Sequence, residues 1–141
     1  MIRILSIFAA MAALSAPAIA QGFTVASDGS GDFRTVQEAV DAAPDYCKQA
    51  ATEIRIKAGI YREKVTVPPN KQRLHLIGED ALTTVIVWDD YALRTGSTGF
   101  PMGTSATSTV FIYGDDFLAE NLTFENAAGE GNRWTEAGRY R

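Results

Sequence analysis

Leu74-His75-Leu76-Ile77-Gly78-Glu79-Asp80, LHLIGED, is an alternating apolar strand that ends in a glycine and an acid, and a second strand, TTVIVW at Thr83 to Trp88, follows it. The same order returns further along. VFIYGDD at Val110 to Asp116 is followed by NLTFEN at Asn121 to Asn126, so that Gly78 is echoed by Gly114. Two strand pairs recurring in one order predict successive coils of a solenoid, each stacking its apolar face on the next. An ordinary β-sandwich is the competing reading.

Outward from this echo, TEIRIK (Thr52 to Lys57) and EKVTVP (Glu63 to Pro68) alternate in the same way, each bounded by turn-forming residues. A single stretch has helical spacing. Val36, Ala39, Val40 and Ala43 recur at i, i+3, i+4 and i+7; Thr35-Val36-Gln37-Glu38 fits a capping box, and Pro44 ends the run. One short helix and about six strands place the chain in the all-β class. Between two of the strands lies GIYREKV, Gly59 to Val65. It reads as a corner in which Gly59 takes a backbone conformation closed to other residues, Tyr61 covers the bend, and Arg62, Glu63 and Lys64 bond to the adjacent coil.

The segment from Asp89 to Ser108 is too polar and glycine-rich for a coil interior, and long loops in compact repeats commonly carry function. Its Tyr91, Phe100, Met102 and hydroxyls suit a sugar-binding rim. A mobile insertion with its aromatics tucked against the solenoid fits equally well.

The chain has 141 residues and a net charge of -4. That charge argues against nucleic-acid binding and against a basic membrane-surface patch. Residues 1–20 read as a signal peptide: Arg3, an apolar run from Ile4 to Leu14, and Ala18-Ile19-Ala20 before the cut. The run is shorter than the ~20 residues of a spanning helix, so a secreted product, extracellular or periplasmic, is expected. Cys47 is the one cysteine, which means a free thiol, an intermolecular bridge or a missing partner.

Several polar residues read as structural. The adjacent carboxylates Asp89 and Asp90, and Asp115 and Asp116, should point apart along a strand or turn, and a solvated turn is the role expected of each. His75, between Leu74 and Leu76, should face away from the core, and without ligand-spaced partners no metal site is expected. Asn121-Leu122-Thr123 is a formal glycosylation sequon that falls within a strand.

Taken together, FTVASDGSGDFRTVQEAVDAAP, IRIKAGIYREKVTVP, LHLIGED and GTSATSTVFIYGDDFLAENLTFENAAG resemble, in order and spacing, the start of pectin methylesterases (pectinesterases). The resemblance covers about Phe23 to Gly129. It implies a right-handed parallel β-helix, with the helix at Val36 to Ala43 capping the open end and the Asp89 to Ser108 loop on the rim of the substrate cleft. It further implies hydrolysis of the methyl esters of galacturonosyl residues in pectin, without metal or cofactor. One aspartate attacks the ester carbonyl and a second acts as general acid and then base. Glutamines hold the oxyanion, an arginine orients the nucleophile and a tryptophan packs the sugar.

In the family those groups lie in later motifs that read approximately QAVAL, QDTL, DFIFG and LGRPW, and none occurs in these 141 residues. No catalytic residue is therefore assigned. Thr104, in GTSATSTV, matches a substrate-contacting threonine of the family and is the one binding residue carried over; a loop hydroxyl satisfied by backbone or water is its structural alternative. The resemblance thus gives an N-terminal β-helix portion at residues 21–132 and a divergent tail at 133–141, where Trp134 stands near the place of the first oxyanion glutamine. A solenoid ending after roughly two coils leaves sheet edges unpaired, so poor folding and no esterase activity are expected of this form. The full-length parent is expected to be a monomer that takes methyl-esterified pectin. A secreted, non-catalytic carbohydrate-binding β-helix is the alternative, and a calcium-dependent polysaccharide lyase a more distant one.

Overall fold

An alternating strand buries every second side chain, and along this chain the buried sets all converge on one axis. The computed structural model describes residues 19–129. Nine strands form three sheets in which every ladder is parallel. The first sheet holds β1 (Ile19–Val25), β2 (Ala51–Ile56), β5 (Leu74–Gly78) and β8 (Leu118–Glu120). The second holds β3 (Gly59–Arg62), β6 (Thr84–Trp88) and β9 (Thr123–Asn126), and the third β4 (Val65–Val67) and β7 (Val110–Ile112). From β2 onward the chain visits the three sheets in strict rotation, which makes the molecule a parallel β-helix. Two complete coils, β2-β3-β4 and β5-β6-β7, lie between partial ones, more than the two coils expected in all.

Inward-facing Val25, Ile54, Ile56, Val65, Val67, Leu74, Leu76 and Ile86 form the core. The helix α1 (Val36–Ala42) closes one end by burying Val36, Ala39 and Val40 against them, as its spacing predicts. Thr35 and Glu38 make the reciprocal capping box, and the helix stops at Ala43, before Pro44. Two charges from elsewhere finish its ends. The Glu63 carboxylate accepts from the N–H groups of Val36 (2.8 Å) and Gln37 (2.9 Å), where the helix dipole favours an anion. Lys71, buried beneath the other end, donates to the carbonyls of Asp41 and Ala43 and pairs with Asp45.

Three sequence expectations need correcting. The solenoid is right, but the first half of the echo is out of register. β6 and β9 do pair, Val85 opposite Thr123, whereas β5 stacks against β8 and β7 stacks against β4, Val65 opposite Val110. Gly78 and Gly114 recur because each lies tight against backbone of another turn, Asn121 for one and Lys71 for the other, where a Cβ would collide. Gly59 belongs to β3 rather than to a left-handed corner; a Cβ there would press on Ser27 Oγ at 3.1 Å, so room is what it supplies. Asn121 lies outside the strands, at φ 53° in the turn between β8 and β9, a conformation asparagine tolerates.

The strand β1 starts inside the stretch read as leader, and its ladder with β2 is continuous from Gln21. Residues 1–18 and the tail, including Trp134, lie outside the described residues. Among the described residues no helix is long and apolar enough to cross a membrane.

Candidate functional site

The loop from Asp89 to Ser108 leaves the second sheet after β6 and re-enters the third at β7 without disturbing either ladder. Little apolar surface holds it; charges from β3 and the following turn do. Arg62 pairs with Asp89 at 2.8 Å and stacks over the Trp88 ring at 5.8 Å. Lys64 reaches Asp90 at 2.6 Å and donates to the Ala106 carbonyl at 2.8 Å, tying both ends of the loop to one ammonium. Arg94 closes the network on Asp90 at 2.6 Å and on Asp89 at 3.5 Å, which corrects the expectation of a solvated turn with carboxylates pointing apart: both meet one guanidinium, and Asp90 is buried. Burial alone would push the Asp90 carboxyl up, but the hydrogen bonds and charges of Lys64 and Arg94 outweigh it and hold its pKa below the ordinary carboxylate value. Asp90 in turn raises Arg94. From the next coil, Asn126 Nδ2 donates to the carbonyls of Asp90 and Thr107, and Thr109 Oγ1 donates to that of Glu125. The expectation that Arg62, Glu63 and Lys64 bond to the adjacent coil is met by Arg62 and Lys64, whereas Glu63 turns to the capping helix.

Thr104 opens an exposed 3-10 turn, Thr104–Ala106, after Gly103 at φ 73°. Its carbonyl accepts from the N–H and Oγ1 of Thr107, which locks the turn. Since Lys64 grips the carbonyl of Ala106, the turn is fixed to the edge of the third sheet. Phe100 projects at 73% exposure from a tight reversal in which Gly96 N–H donates to the Phe100 carbonyl. Met102 is half-buried, and Tyr91 lies half-buried with Arg94 at 5.9 Å from its ring. Phe100 therefore fits a rim, while Tyr91 is tucked in.

The outer face of the third sheet carries groups that the sequence reading did not single out. Phe111 is paired in register with Thr66, and the Gln37 side chain brackets the Thr66 backbone through its N–H and carbonyl. The Phe111 and Tyr113 rings lie 13° from parallel with centroids 6.5 Å apart, and Lys64 Nζ is 5.7 Å from the Phe111 ring. The signal for them was an aromatic at alternate positions in and just after a strand whose Val110 packs on the core.

The remaining candidates sit apart from this face. His75 faces outward from the first sheet, its Nε2 3.2 Å from Glu120 Oε1 without making a hydrogen bond. Asp115 and Asp116 are exposed in the turn after Gly114, where Asp116 lies 3.8 Å from Arg73. Cys47 is a half-buried thiol that donates to the Ala50 carbonyl. Among the described residues no three His, Cys, Asp or Glu side chains gather as a metal site.

Comparison with known proteins brings fold and site together. A family model described as Pectinesterase matches residues 22–139. Among curated relatives, a pectinesterase of Daucus carota is 46% identical over 105 residues, 74% of this chain and 31% of its own length. Pectinesterase 31 of Arabidopsis thaliana is 40% identical over 114 residues, 77% of this chain and 35% of its own. Among solved structures, carrot pectin methylesterase superposes with a TM-score of 0.69 at 38% identity, over 83% of this chain and 34% of that one. A point mutant of pectin methylesterase in complex with hexasaccharide IV gives 0.68 at 33%, over 79% and 32%. The chain thus spans about a third of the length of these relatives. It belongs to the pectinesterase family.

Proposed function

We propose that these coils form the N-terminal part of a pectin methylesterase, which hydrolyses methyl esters of galacturonosyl residues in pectin, and that the Asp89 to Ser108 loop forms one wall of its substrate cleft. The observation that carries this is the likeness in fold to pectin methylesterases, two of them solved with hexasaccharides. Ester hydrolysis by paired carboxylates requires one free to attack and another able to give up a proton. In this chain Asp89 is engaged by Arg62 and Arg94, and Asp90 by Lys64 and Arg94, which keep Asp90 anionic and unable to protonate a leaving alkoxide. Both are therefore anchors of the loop, and Thr104, exposed on a fixed turn, is the group that meets substrate. On this reading the 141 residues alone release no methanol. The leader at residues 1–20, export and a monomeric full-length enzyme belong to the same proposal.

The test joins residues through Gly129 to the corresponding remainder of carrot pectinesterase and measures methanol from methyl-esterified pectin. Activity of the chimera, none from the 141-residue chain, and a raised KM in the Thr104→Ala chimera are expected. A folded chimera that releases no methanol would count against the reading, and methanol from the 141-residue chain would overturn the inactivity.

A further inference from the structure

We propose that Phe111 and Tyr113 form an aromatic platform on which a methyl-esterified galacturonosyl ring stacks, an inference that rests on the pectin reading above. Tyr113 is 60% exposed and Phe111 half-buried, and their rings are nearly parallel on a strand whose backbone is fixed by its ladder with β4. Two adjacent rings on a solvent face make an apolar patch that a ligand can cover. A pyranose presents a face of C–H groups that suits the electron-rich face of an aromatic ring, and hydroxyls at its edge that suit the polar groups beside it. Those groups are at hand. Thr66 stands in register with Phe111, and Lys64 links the Phe111 ring to the turn that begins at Thr104.

The charge of the surroundings selects the ester over the acid. Lys64 and Arg94 are both engaged by Asp90, and Arg73 faces Asp116 at 3.8 Å, while the exposed Asp115 adds a negative charge shortly after Tyr113. A free uronate carboxylate would have to compete with these acids for a cation; its methyl ester would not.

The test titrates the 141-residue chain with fully methyl-esterified and with unesterified hexagalacturonide, following the aromatic NMR signals. Tyr113→Ala should weaken binding of the esterified oligomer roughly three- to tenfold. Tyr113→Phe should retain it, as should Tyr46→Ala, which removes another exposed ring outside this sheet. The unesterified oligomer should bind more weakly to the wild type. Equal affinity of Tyr113→Ala and wild type for the ester would overturn the platform and leave the pectin reading standing. Equal affinity of the wild type for both oligomers would overturn the preference for the ester. A folded wild-type chain that binds neither oligomer would overturn the platform and leave the pectin reading to the chimera.

Discussion

The capping helix and the Asp89 to Ser108 loop are both fastened by the segment Arg62-Glu63-Lys64, yet by different physics. The helix lays Val36, Ala39 and Val40 into the core and uses Glu63 only to satisfy its first N–H groups. The loop contributes no residue to the core cluster and hangs on Asp89 and Asp90, held by Arg62, Lys64 and Arg94. Burial is indifferent to protons and salt, whereas ion pairs are not. The apolar packing of the end cap should therefore respond little to salt, while the loop should be conditional.

The largest expected effect lies on the helix. Val40→Asp places an unpaired carboxylate in the core at a cost of more than about 4 kcal/mol, and urea unfolding followed by circular dichroism should show the cooperative transition lost or moved to very low denaturant. Next comes the loop. Asp90→Asn leaves Lys64 and Arg94 without their shared anion, and since both cations are partly solvated and Arg94 keeps Asp89, the cost is about 1–2 kcal/mol and should appear as local release. Trypsin should then cut after Arg94 well before global unfolding; a variant no more sensitive than wild type would show that the loop is held by something other than the ion pairs.

The smallest effect sharpens the contrast through pH. Glu63→Ala removes both acceptors and weakens the helix start by about 1 kcal/mol, read as lower amide protection at Val36 and Gln37. Burial raises the Glu63 pKa against the lowering effect of those two N–H groups, so the folded state takes up a proton in the window above the unfolded value of ~4.3, and stability from this group grows as pH falls through it. Asp90 is lowered, so its contribution is complete above ~3.9 and is lost as pH falls through its folded value. Acidification should thus first favour the helix end and later free the loop. Glu63→Gln should abolish the first phase alone; loss of both together would mean that the two regions are not independent.

How much of this was legible depended on how local the cause was. The helix, its capping box and the strands at β2, β4, β5 and β6 follow from spacing within a few residues. The strands β3 and β8 did not, because β3 buries only Tyr61 and β8 is three residues long, so neither shows an alternation to count. The misregistered echo has the same origin. Glycine before an acid marks close passage of a neighbouring turn, but which strand it follows depends on an excursion of some twenty residues that sequence pattern does not measure. Lys71 reads as a solvated lysine in NKQR, and only the stacking of coils carries it beneath the helix. The candidate site divides similarly. Thr104 came from the resemblance to the family, while the pairing of Asp90 with Lys64 and the outward direction of Phe111 and Tyr113 needed the register of the third sheet.

The three consecutive charges of β3 and its turn reach three different addresses: Arg62 to Asp89, Glu63 to the helix, and Lys64 to Asp90. Their information therefore resides in order and not in content. Exchanging Glu63 with Lys64 would leave mass, net charge and composition untouched, yet it would set an ammonium against the positive end of the helix and a carboxylate against Asp90. A scoring scheme that counts residues would see nothing change, while the molecule would lose its cap and its loop together.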